Sequence, residues 1–388
     1  MLSSFHFPRY FSKSVREEIG ELYLSSAVAN LALAIVMLFE PIFLYSVLGF
    51  TVPMVLLFMA VTYATYIVIL PFGGKVASLY GYKHAIAMSA PFQILYWMLL
   101  LVSKDSHGLA YLAAMAFAAQ KALYWPGFHA LMARYTDQGQ VGREFGMSYA
   151  IVSVSQIIGP FLGGVISQKL GMTATFITAS VIYCGSILPL FRAKEVFVPK
   201  DYSFKATLQL YRDYPRKFIG YLGFGEELLV LTIWPIFIYI VVKNYEETGL
   251  LATIASFAAA VLAVIVGKIT DQYTKRILIK IGAFLTAIVW FARMIVTNIW
   301  NTLAIDTLSR TSKEMCFIPI STVTYIRAEN THVVPYAVFF EQSLAIGKLL
   351  ACILGMVIFS LFSMISLSAG FVALFILAGF FSLLYMFI

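Results

Sequence analysis

Eleven ionisable side chains lie inside stretches apolar enough to cross a bilayer, and they are the residues best placed to do chemistry. The carboxylates are Glu40, Glu226, Glu227, Asp306, Glu314 and Glu341, and the basic residues are Lys121, Arg293, Arg310, Lys313 and Lys348. One such charge at mid-membrane costs roughly 2.5–3.5 kcal/mol. All of them facing lipid would cost more than the ~5–15 kcal/mol stability of a typical fold. We therefore expect them to face one another or water, as a polar path for ions, protons or solutes would require.

Four of these charges share one predicted helix. Asp306, Arg310, Lys313 and Glu314 are spaced so that they fall on a single helical stripe. The stripe sums to zero, so structural pairing across helices and a role in transport both remain open. Arg310 is nearest mid-depth and is the better candidate for an anionic group of a substrate.

Glu226 and Glu227 are adjacent near the middle of another predicted span. Successive side chains of a helix point about 100° apart, so both cannot face the same centre. Burial increases the proton affinity of a carboxylate, and a neighbouring cation decreases it. A carboxylate whose surroundings change could therefore bind and release protons. Glu226 or Glu227 is the first candidate for proton coupling and Asp306 the next. The alternative is a fixed salt bridge to Lys121 or Arg310.

The elements that must position these residues are transmembrane helices. Hydrophobic residues make up 61% of the chain and charged residues 12%, against about 25% charged in soluble domains. A helix needs about 20 apolar residues to cross the bilayer. By this measure the fold is an all-α polytopic membrane protein with twelve spans, at about 22–48, 52–72, 85–103, 108–133, 145–168, 172–192, 218–242, 248–267, 277–297, 299–326, 335–361 and 366–387.

Basic residues predict the orientation. Nineteen of the 27 fall in the termini and loops of one side, and only Lys104, Lys169 and Lys243 fall on the other. The positive-inside rule then places both termini in the cytoplasm. This placement accounts for the net charge of +8 and argues against nucleic-acid binding. Residues 1–21 form a cytoplasmic or interfacial segment with no cleavable signal peptide expected.

The chain divides into two six-helix bundles, 22–192 and 218–388, joined by a cytoplasmic linker at 193–217. The halves echo each other, because a loop from Gly74 to Lys83 recurs 193 residues later, from Gly267 to Arg276. Similar loops at equivalent places indicate a duplicated unit with a pseudo-twofold axis along the membrane normal.

These loops resemble the G-x-x-x-D-x-x-G-x-[RK] loop of the major facilitator superfamily. The second copy keeps Gly267, Asp271, Lys275 and Arg276, with Thr274 where glycine is usual. The first keeps Gly74, Gly81 and Lys83, with Ser78 in place of the aspartate. The resemblance implies that Asp271 latches the cytoplasmic side against a helix N-terminus of the other half. The alternative is a pair of positive-inside loops with turn glycines.

Span five resembles the glycine-rich pattern of proton-coupled exporters of that superfamily. It carries Gly146, Ser155, Gly159, Pro160, Gly163 and Gly164. Small residues let helices approach closely and Pro160 permits bending, so ordinary close packing is the alternative. Arg143 and Glu144 at the start of this span, and Glu341 in span eleven, are interpreted as gate or helix-terminus residues.

The resemblance also implies that spans one, four, seven and ten line a central cavity. Lys121 is expected to face it, with Tyr124 and Trp125 alongside, whereas His129 is interpreted as a hydrogen-bonded structural residue. Trp125 and Trp234 are either aromatic walls for a substrate or packing residues. Glu40 is either an outer cation site or wetted at the interface, and Arg293 is expected to snorkel outward.

The resulting expectation is a multi-pass secondary active transporter of the plasma (bacterial inner) membrane that works by alternating access. Proton-coupled antiport exporting a small organic or amphipathic compound is the first interpretation. The alternatives are proton-linked uptake of a sugar or organic acid, and a non-transporting sensor or scaffold. Its expected partners are a small-molecule substrate, protons and the lipid bilayer, and the protein is expected to be a monomer. No P-loop, metal spacing or nucleophile elbow is present, so we expect no enzyme activity and no cofactor or metal.

Overall fold

A computed structural model describes residues 13–104, 106–136, 141–192, 202–272 and 274–388. Within them, side chains are described except at 13–20, 22–23, 132–136, 141–151, 190–192, 264–265, 267–272 and 329. The described residues form fifteen α-helices and no β-strand. The helices are α1 (Lys13–Met37), α2 (Glu40–Ile42), α3 (Val52–Tyr80), α4 (Tyr82–Val102), α5 (His107–Thr136), α6 (Val141–Leu170), α7 (Met172–Arg192), α8 (Phe204–Asp213), α9 (Pro215–Leu222), α10 (Gly225–Val242), α11 (Tyr245–Gln272), α12 (Lys275–Ala292), α13 (Ile299–Glu329), α14 (Val333–Ser363) and α15 (Leu367–Leu383).

Three short helical segments complete these elements. A π-helical segment, Phe43–Val47, continues α2, and 3-10 segments follow α12 at Arg293–Ile295 and α15 at Leu384–Phe387. The first predicted span is therefore α1, α2 and the π segment in succession, and the seventh is α9 followed by α10. Both breaks fall beside intramembrane acids, at Glu40 and just before Glu226.

Nine helical stretches in the described residues are long and apolar enough to cross a membrane. They begin at Leu24, Val52, Tyr82, Met172, Pro215, Tyr245, Lys275, Val333 and Leu367. Helices α5, α6 and α13 are as long, with 30, 30 and 31 residues, and pack among the nine. The count of twelve spans and the cytoplasmic termini stay predictions.

The same helix pairs recur in the two halves. In the first half α1 packs on α6 and α7, and α5 packs on α3 and α4. In the second half α10 packs on α14 and α15, and α13 packs on α11 and α12. These pairs correspond span by span, as duplication of a six-helix unit would produce. Between the halves the main contacts are α3 with α14 and α6 with α11.

The linker region contributes a surface helix. Helix α8 begins after Ser203, whose hydroxyl accepts a hydrogen bond from the Ala206 N–H as an N-cap. It packs against α14 and α9, with Leu210 buried and Phe204 exposed. The end of the bundle that carries α8 is the end predicted to be cytoplasmic.

Candidate functional site: a charged cavity between the halves

A cavity of about 310 Å³ lies between the two halves. Such a volume is at the lower end of the range for small-molecule sites, roughly 300–1,000 Å³. Helices α1 and α6 line one side, and α10, α11 and α13 line the other. Its charged lining residues come from α10 and α13: Glu226, Glu227, Asp306, Arg310, Lys313 and Glu314. The cavity therefore brings together most of the charges that the sequence predicted to converge.

Asp306 and Arg310 form an ion pair along α13. The Arg310 Nε donates to Asp306 Oδ2 at 2.9 Å, so these two members of the stripe pair with each other. The Trp234 indole N–H donates to Asp306 Oδ1 at 2.8 Å. Both oxygens of this buried carboxylate are thus occupied. Arg310 also donates from Nη1 to Ser256 Oγ at 3.1 Å, which ties α13 to α11.

Glu226 is the centre of a second buried cluster. Its Oε1 accepts from the Trp290 indole N–H at 3.0 Å, and its Oε2 is paired with the Lys313 ammonium. The Tyr385 hydroxyl lies 3.3 Å from Oε2 and accepts from Lys313 Nζ at 2.7 Å. At 1% exposure Glu226 is almost completely buried. Its partner is Lys313 rather than the predicted Lys121 or Arg310.

Arg293 does not snorkel outward; that prediction is wrong. The side chain is fully buried, and its guanidinium carbon lies 3.5 Å from the Trp290 ring centroid and 4.4 Å from that of Trp234. Nη2 donates to Ser309 Oγ at 2.5 Å, whereas Nε and Nη1 have no hydrogen-bond partner among the described residues. Stacking on two indoles and attraction to nearby Glu226 and Asp306 hold the cation inside the bundle.

Glu227 is held differently from its neighbour. Its Oε2 accepts from Lys348 Nζ of α14 at 2.7 Å, and 25% of its side chain is exposed at the cavity. Lys313 and Lys121 also act on the carboxylate through space. Since one face of α10 points at the cavity and the next residue points about 100° away, the two acids have the different surroundings that their spacing predicted.

The described lining of this cavity does not include Lys121, Tyr124, Trp125 or Glu40, so their predicted roles in substrate or proton binding stay predictions. The Lys121 ammonium lies 4.8 Å from the Phe117 ring centroid and 5.9 Å from those of Tyr63 and Trp125. Electrostatic attraction to these aromatic faces stabilises a cation away from water. Tyr124 and Trp125 pack edge to face on one another.

Glu40 is neither in the cavity nor at the wetted interface. It is 9% exposed at the start of α2, against Tyr96 and within electrostatic reach of Lys121. The break between α1 and α2 directs the Glu40 side chain toward the interior of the first half, where Lys121 compensates its charge.

His129 and Glu341 join the two halves at the end that carries α8. His129 Nε2 lies 2.7 Å from Glu341 Oε1, and His129 Nδ1 lies 2.9 Å from the Tyr325 hydroxyl. The Tyr66 hydroxyl donates to Glu341 Oε2 at 2.7 Å. The four residues come from α3, α5, α13 and α14. His129 is hydrogen-bonded as expected, and its partners lie across the interface.

The motif residues divide by location. The side chains of Arg143, Glu144 and Asp271, and residue Gly267, lie outside the described side chains, so their predicted roles stay predictions. Gly81 adopts a positive φ of 104° between α3 and α4, and Ser78 and Lys83 are buried. Gly74 faces Val338 and Tyr202. Lys275 and Arg276 begin α12, after the extended Thr274.

The glycines of α6 allow close approach to two helices. Gly159 and Gly163 lie against the backbone of α1, and Gly164 lies against Tyr245, Glu246 and Gly249 of α11. Gly249 in turn lies against the carbonyl of Pro160. The glycines of α6 therefore serve the close helix packing that was the alternative interpretation of the glycine-rich pattern.

Sequence reasoning missed several residues of the site. Trp290 and Tyr385 hold Glu226, and Ser256 holds Arg310. A signal existed for Trp290, because it lies three residues before Arg293 and therefore on the same helix face. Serine and tyrosine are common in apolar helices, so nothing in the sequence marked Ser256 or Tyr385 as part of the site. Among the described residues no group of three or more His, Cys, Asp or Glu side chains could hold a metal ion.

Comparison with known proteins decides the family. A family model described as Major Facilitator Superfamily matches residues 22–240, more than half of the chain. The chain belongs to the major facilitator superfamily. The structure is also similar to that of the human organic anion transporter MFSD10 (TETRAN), with a TM-score of 0.69 and 13% identity over 96% of this chain and 100% of that one. At that identity the likeness concerns the fold alone. A comparison with curated protein sequences finds no match.

Membership in the superfamily gives the cavity its context. The chain is a multi-pass membrane protein with the fold of a secondary transporter. In this architecture a cavity between two repeats is where a solute binds. The charged cavity between α1 and α6 on one side and α10, α11 and α13 on the other is accordingly the candidate solute site.

Proposed function

We propose that this superfamily member is a proton-coupled secondary active transporter that moves a small amphipathic organic solute across the plasma membrane by alternating access. The single observation that supports proton coupling is the position and exposure of the Glu227 carboxylate. It is a cavity-lining carboxylate, partly exposed, with one ion-pair partner in the described part of the chain.

Three other intramembrane acids are less suited to exchanging a proton. Asp306, Glu226 and Glu341 each have both carboxylate oxygens occupied by donors from other residues. Protonating any of them would break a buried charge-assisted bond and leave a partner unsatisfied, which costs about 1–3 kcal/mol or more. Protonation of Glu227 breaks one bond, and the cavity gives the proton a route.

Alternating access would change the surroundings of Glu227. Lys348 belongs to the same half as Glu227, whereas Lys121 belongs to the other half and also acts on it through space. Rocking of the halves would alter the distance to Lys121 and leave the Lys348 bond in place. Since a nearby cation favours the ionised carboxylate, the affinity of Glu227 for a proton would differ between the two orientations.

Antiport, with export of the solute, is the first form of this proposal. It is supported by the likeness of α6 to the glycine-rich span of proton-coupled exporters, and by the contacts of that span with both α1 and α11. A helix that touches both halves can couple their movement. The monomeric state expected from the sequence is part of the same proposal.

Proton-linked symport is the second candidate, and Arg310 favours it. This cation lies in the same cavity as Glu227, and in the described part of the chain only its Nε and one Nη1–H are hydrogen-bonded. A solute that binds there with negative charge would attract a proton to the cavity instead of displacing one.

The experiment is proton movement in proteoliposomes. A thermal-stability screen in detergent selects solutes that bind, and their flux is then followed with an internal pH indicator. Proton movement against the solute supports antiport, and movement with it supports symport. We expect Glu227→Gln to reduce gradient-driven flux to the level of empty liposomes while solute exchange at equal pH continues.

The matched control is Lys205→Gln on the exposed face of α8, which should leave driven flux unchanged. Gradient-driven flux that survives in Glu227→Gln would show that Glu227 does not carry the proton. A wild-type protein that binds solutes but moves none would favour the non-transporting alternative.

A further inference from the structure

The two sides of the cavity differ in polarity. On the side of α1 and α6 the described lining residues carry no ionisable group: Ala34, Met37, Leu38, Val152, Ser153, Gln156 and Pro160. The charged lining residues all come from α10 and α13. A ligand that fills this space therefore meets mostly apolar surface on one side and ions on the other, which favours an amphipathic molecule in a fixed orientation.

Arg310 is a lining residue with donors to spare in the described part of the chain. A guanidinium has five N–H groups. In the described part of the chain Arg310 uses Nε on Asp306 and one Nη1–H on Ser256. Its side chain is 30% exposed and it lines the cavity. The remaining N–H groups can receive an acceptor, and a carboxylate or another oxyanion matches their geometry best.

Lys313, the other cation of the lining, is already engaged. Its ammonium donates to both Glu226 and Tyr385, and 20% of its side chain is exposed. Lys348 and Arg293 lie behind the cavity surface, bonded to Glu227 and to Ser309. The acid group of a ligand would therefore meet Arg310 first.

The charges around the cavity balance. Among the described residues four carboxylates line it, and four cations lie in the lining or directly behind it: Glu226, Glu227, Asp306 and Glu314, with Arg310, Lys313, Arg293 and Lys348. A monoanion added to this set leaves one uncompensated negative charge in a low-dielectric site. One proton on Glu227 restores the balance.

We propose that the cavity binds an amphipathic organic anion, whose acid group is held by Arg310 and whose apolar body lies against α1 and α6, and that the anion binds together with a proton on Glu227. The proton part rests on the proposed function; the ligand class does not. Because each of the two charges stabilises the other, the linkage is reciprocal. An anionic solute would then move with a proton, which selects the symport form.

Glu227 is the group whose protonation responds, and its surroundings support this. Lys348 of α14, Lys313 of α13 and Lys121 of α5 act on it, with Glu226 adjacent on α10. An anion on Arg310 weakens the net positive field of these cations at Glu227. Protonation then becomes easier in the loaded cavity than in the empty one.

The first experiment compares three probes that differ in the head group alone. The probes are 4-phenylbutyrate, 4-phenylbutanamide and 4-phenylbutylamine, and binding to the wild-type protein in detergent is followed by thermal stability and by calorimetry. We expect the carboxylate to bind at least tenfold more tightly than the amide and the amine. Equal or weaker binding of the carboxylate, including no binding, would overturn the ligand class.

The second experiment assigns that preference to Arg310. Arg310→Lys keeps the charge and removes the planar donor pair, and we expect it to abolish most of the carboxylate preference. The control Arg212→Lys lies on the exposed face of α8 and should change nothing. If the single variant does not fold, Arg310→Gln with Asp306→Asn removes both partners at once. A carboxylate preference that persists in these variants contradicts the assignment.

The apolar side is tested separately. Leu38→Ser, at the residue that follows α1, should weaken all three probes by a similar factor and keep their order, because it changes the surface under the shared phenyl group. A change confined to the carboxylate would place the acid group on α1 and overturn the orientation.

Proton uptake on binding separates the two proposals. In weakly buffered solution near neutral pH, we expect 4-phenylbutyrate to draw protons from the medium, and Glu227→Gln to abolish this uptake. Arg310-dependent carboxylate binding without uptake would support the ligand class and overturn coupling at Glu227. The carboxylate preference could instead prove independent of Arg310, while Glu227→Gln still abolishes the gradient-driven flux of another solute. That result would overturn this inference and leave the proposed function standing.

Discussion

The guanidinium of Arg293 lies against the two indoles that hold the cavity acids. Trp290 donates to Glu226 and Trp234 donates to Asp306, and Arg293 stacks on both rings. A cation over a ring draws electron density toward itself, which strengthens the indole N–H as a donor. Arg293 thereby compensates two carboxylates that it does not touch directly, and we interpret it as a positioning residue.

Replacing Arg293 tests this arrangement. Arg293→Gln removes the compensating charge from a fully buried cluster, and we expect a loss of about 3–5 kcal/mol in the free energy of unfolding. Arg293→Lys keeps the charge and loses the flat stacking surface, so its loss should be smaller. Thermal unfolding in detergent, followed by tryptophan fluorescence, measures both. The exposed Arg212→Gln is the control, and an Arg293→Gln variant as stable as that control would contradict the interpretation.

Residue types and spacing predicted part of this cluster. The Asp306–Arg310 pair was predictable because its members lie four apart on one helix. The Glu226–Lys313 pair joins residues 87 apart in sequence, and no local pattern announces it. Arg293 was misassigned because hydropathy measures depth along a span and carries no information on which helix face meets a neighbour.

Helix α6 shows what the glycine pattern does at the scale of an element. Its small residues let the backbone of one half meet α1 of the same half and α11 of the other. Thr253 of α11 donates to the Ile157 carbonyl of α6 at 2.8 Å, and the Tyr245 N–H donates to the Gln168 side chain at 3.2 Å. In membranes, close helix approach replaces the hydrophobic effect as a source of packing energy.

A single methyl group should disturb this contact. A Cβ at Gly164 would lie 2.7 Å from the Tyr245 carbonyl oxygen and 3.2 Å from Glu246 Cα, both backbone atoms that cannot step aside. We expect Gly164→Ala to cost about 1–3 kcal/mol of stability, as overpacking does. The measurement is thermal unfolding in detergent.

Gly185→Ala is the matched control for that change. Gly185 lies within α7, and nothing is within 4 Å of a Cβ built there. The higher helix propensity of alanine should make this variant neutral or more stable by up to about 1 kcal/mol. Equal effects of the two substitutions would show that the α6–α11 contact tolerates separation.

At the scale of the whole molecule, the halves touch on both sides of the cavity. His129, Glu341, Tyr66 and Tyr325 join them at the end with α8. At the opposite end the Ser46 and Tyr245 hydroxyls lie 3.3 Å apart. A transporter that alternates must break one of these sets while the other holds.

Removing Glu341 should release the first set. Glu341→Ala leaves His129 and Tyr66 buried without their acceptor, at a cost of about 1–3 kcal/mol, which shifts the population toward an opening at that end. In a Cys184→Ser background, spin labels at Tyr80 and Asn330 should report a new, longer distance. Glu247→Ala, at the far end of α11, is the control. An unchanged distance distribution would mean that other contacts hold this end closed.

Hydropathy predicted the all-helical membrane architecture, because helices in lipid must satisfy their own backbone hydrogen bonds and are therefore recognisable by length and composition. The orientation expected from loop charge stays a prediction. The lining of the cavity was less accessible. Resemblance assigned it to spans one, four, seven and ten. The described lining includes the first, seventh and tenth spans, adds α6 and α11, and contains no residue of α5. Which helices part to form a cavity depends on their mutual angles, and a one-dimensional pattern does not encode these.

The concentration of charge on α13 has a consequence for biosynthesis. This helix, with Asp306, Arg310, Lys313 and Glu314, is not among the nine described stretches apolar enough to span alone. Each of its charged side chains raises the free energy of inserting the nascent helix into lipid if the translocon releases that helix alone. We expect α13 to leave the translocon together with α10, α11, α12 and the 3-10 segment after α12. These are made earlier and supply partners such as Glu226, Ser256 and Arg293. Assembly of the second half would thus be cooperative, because α13 can insert only after the helices that supply its partners have been made.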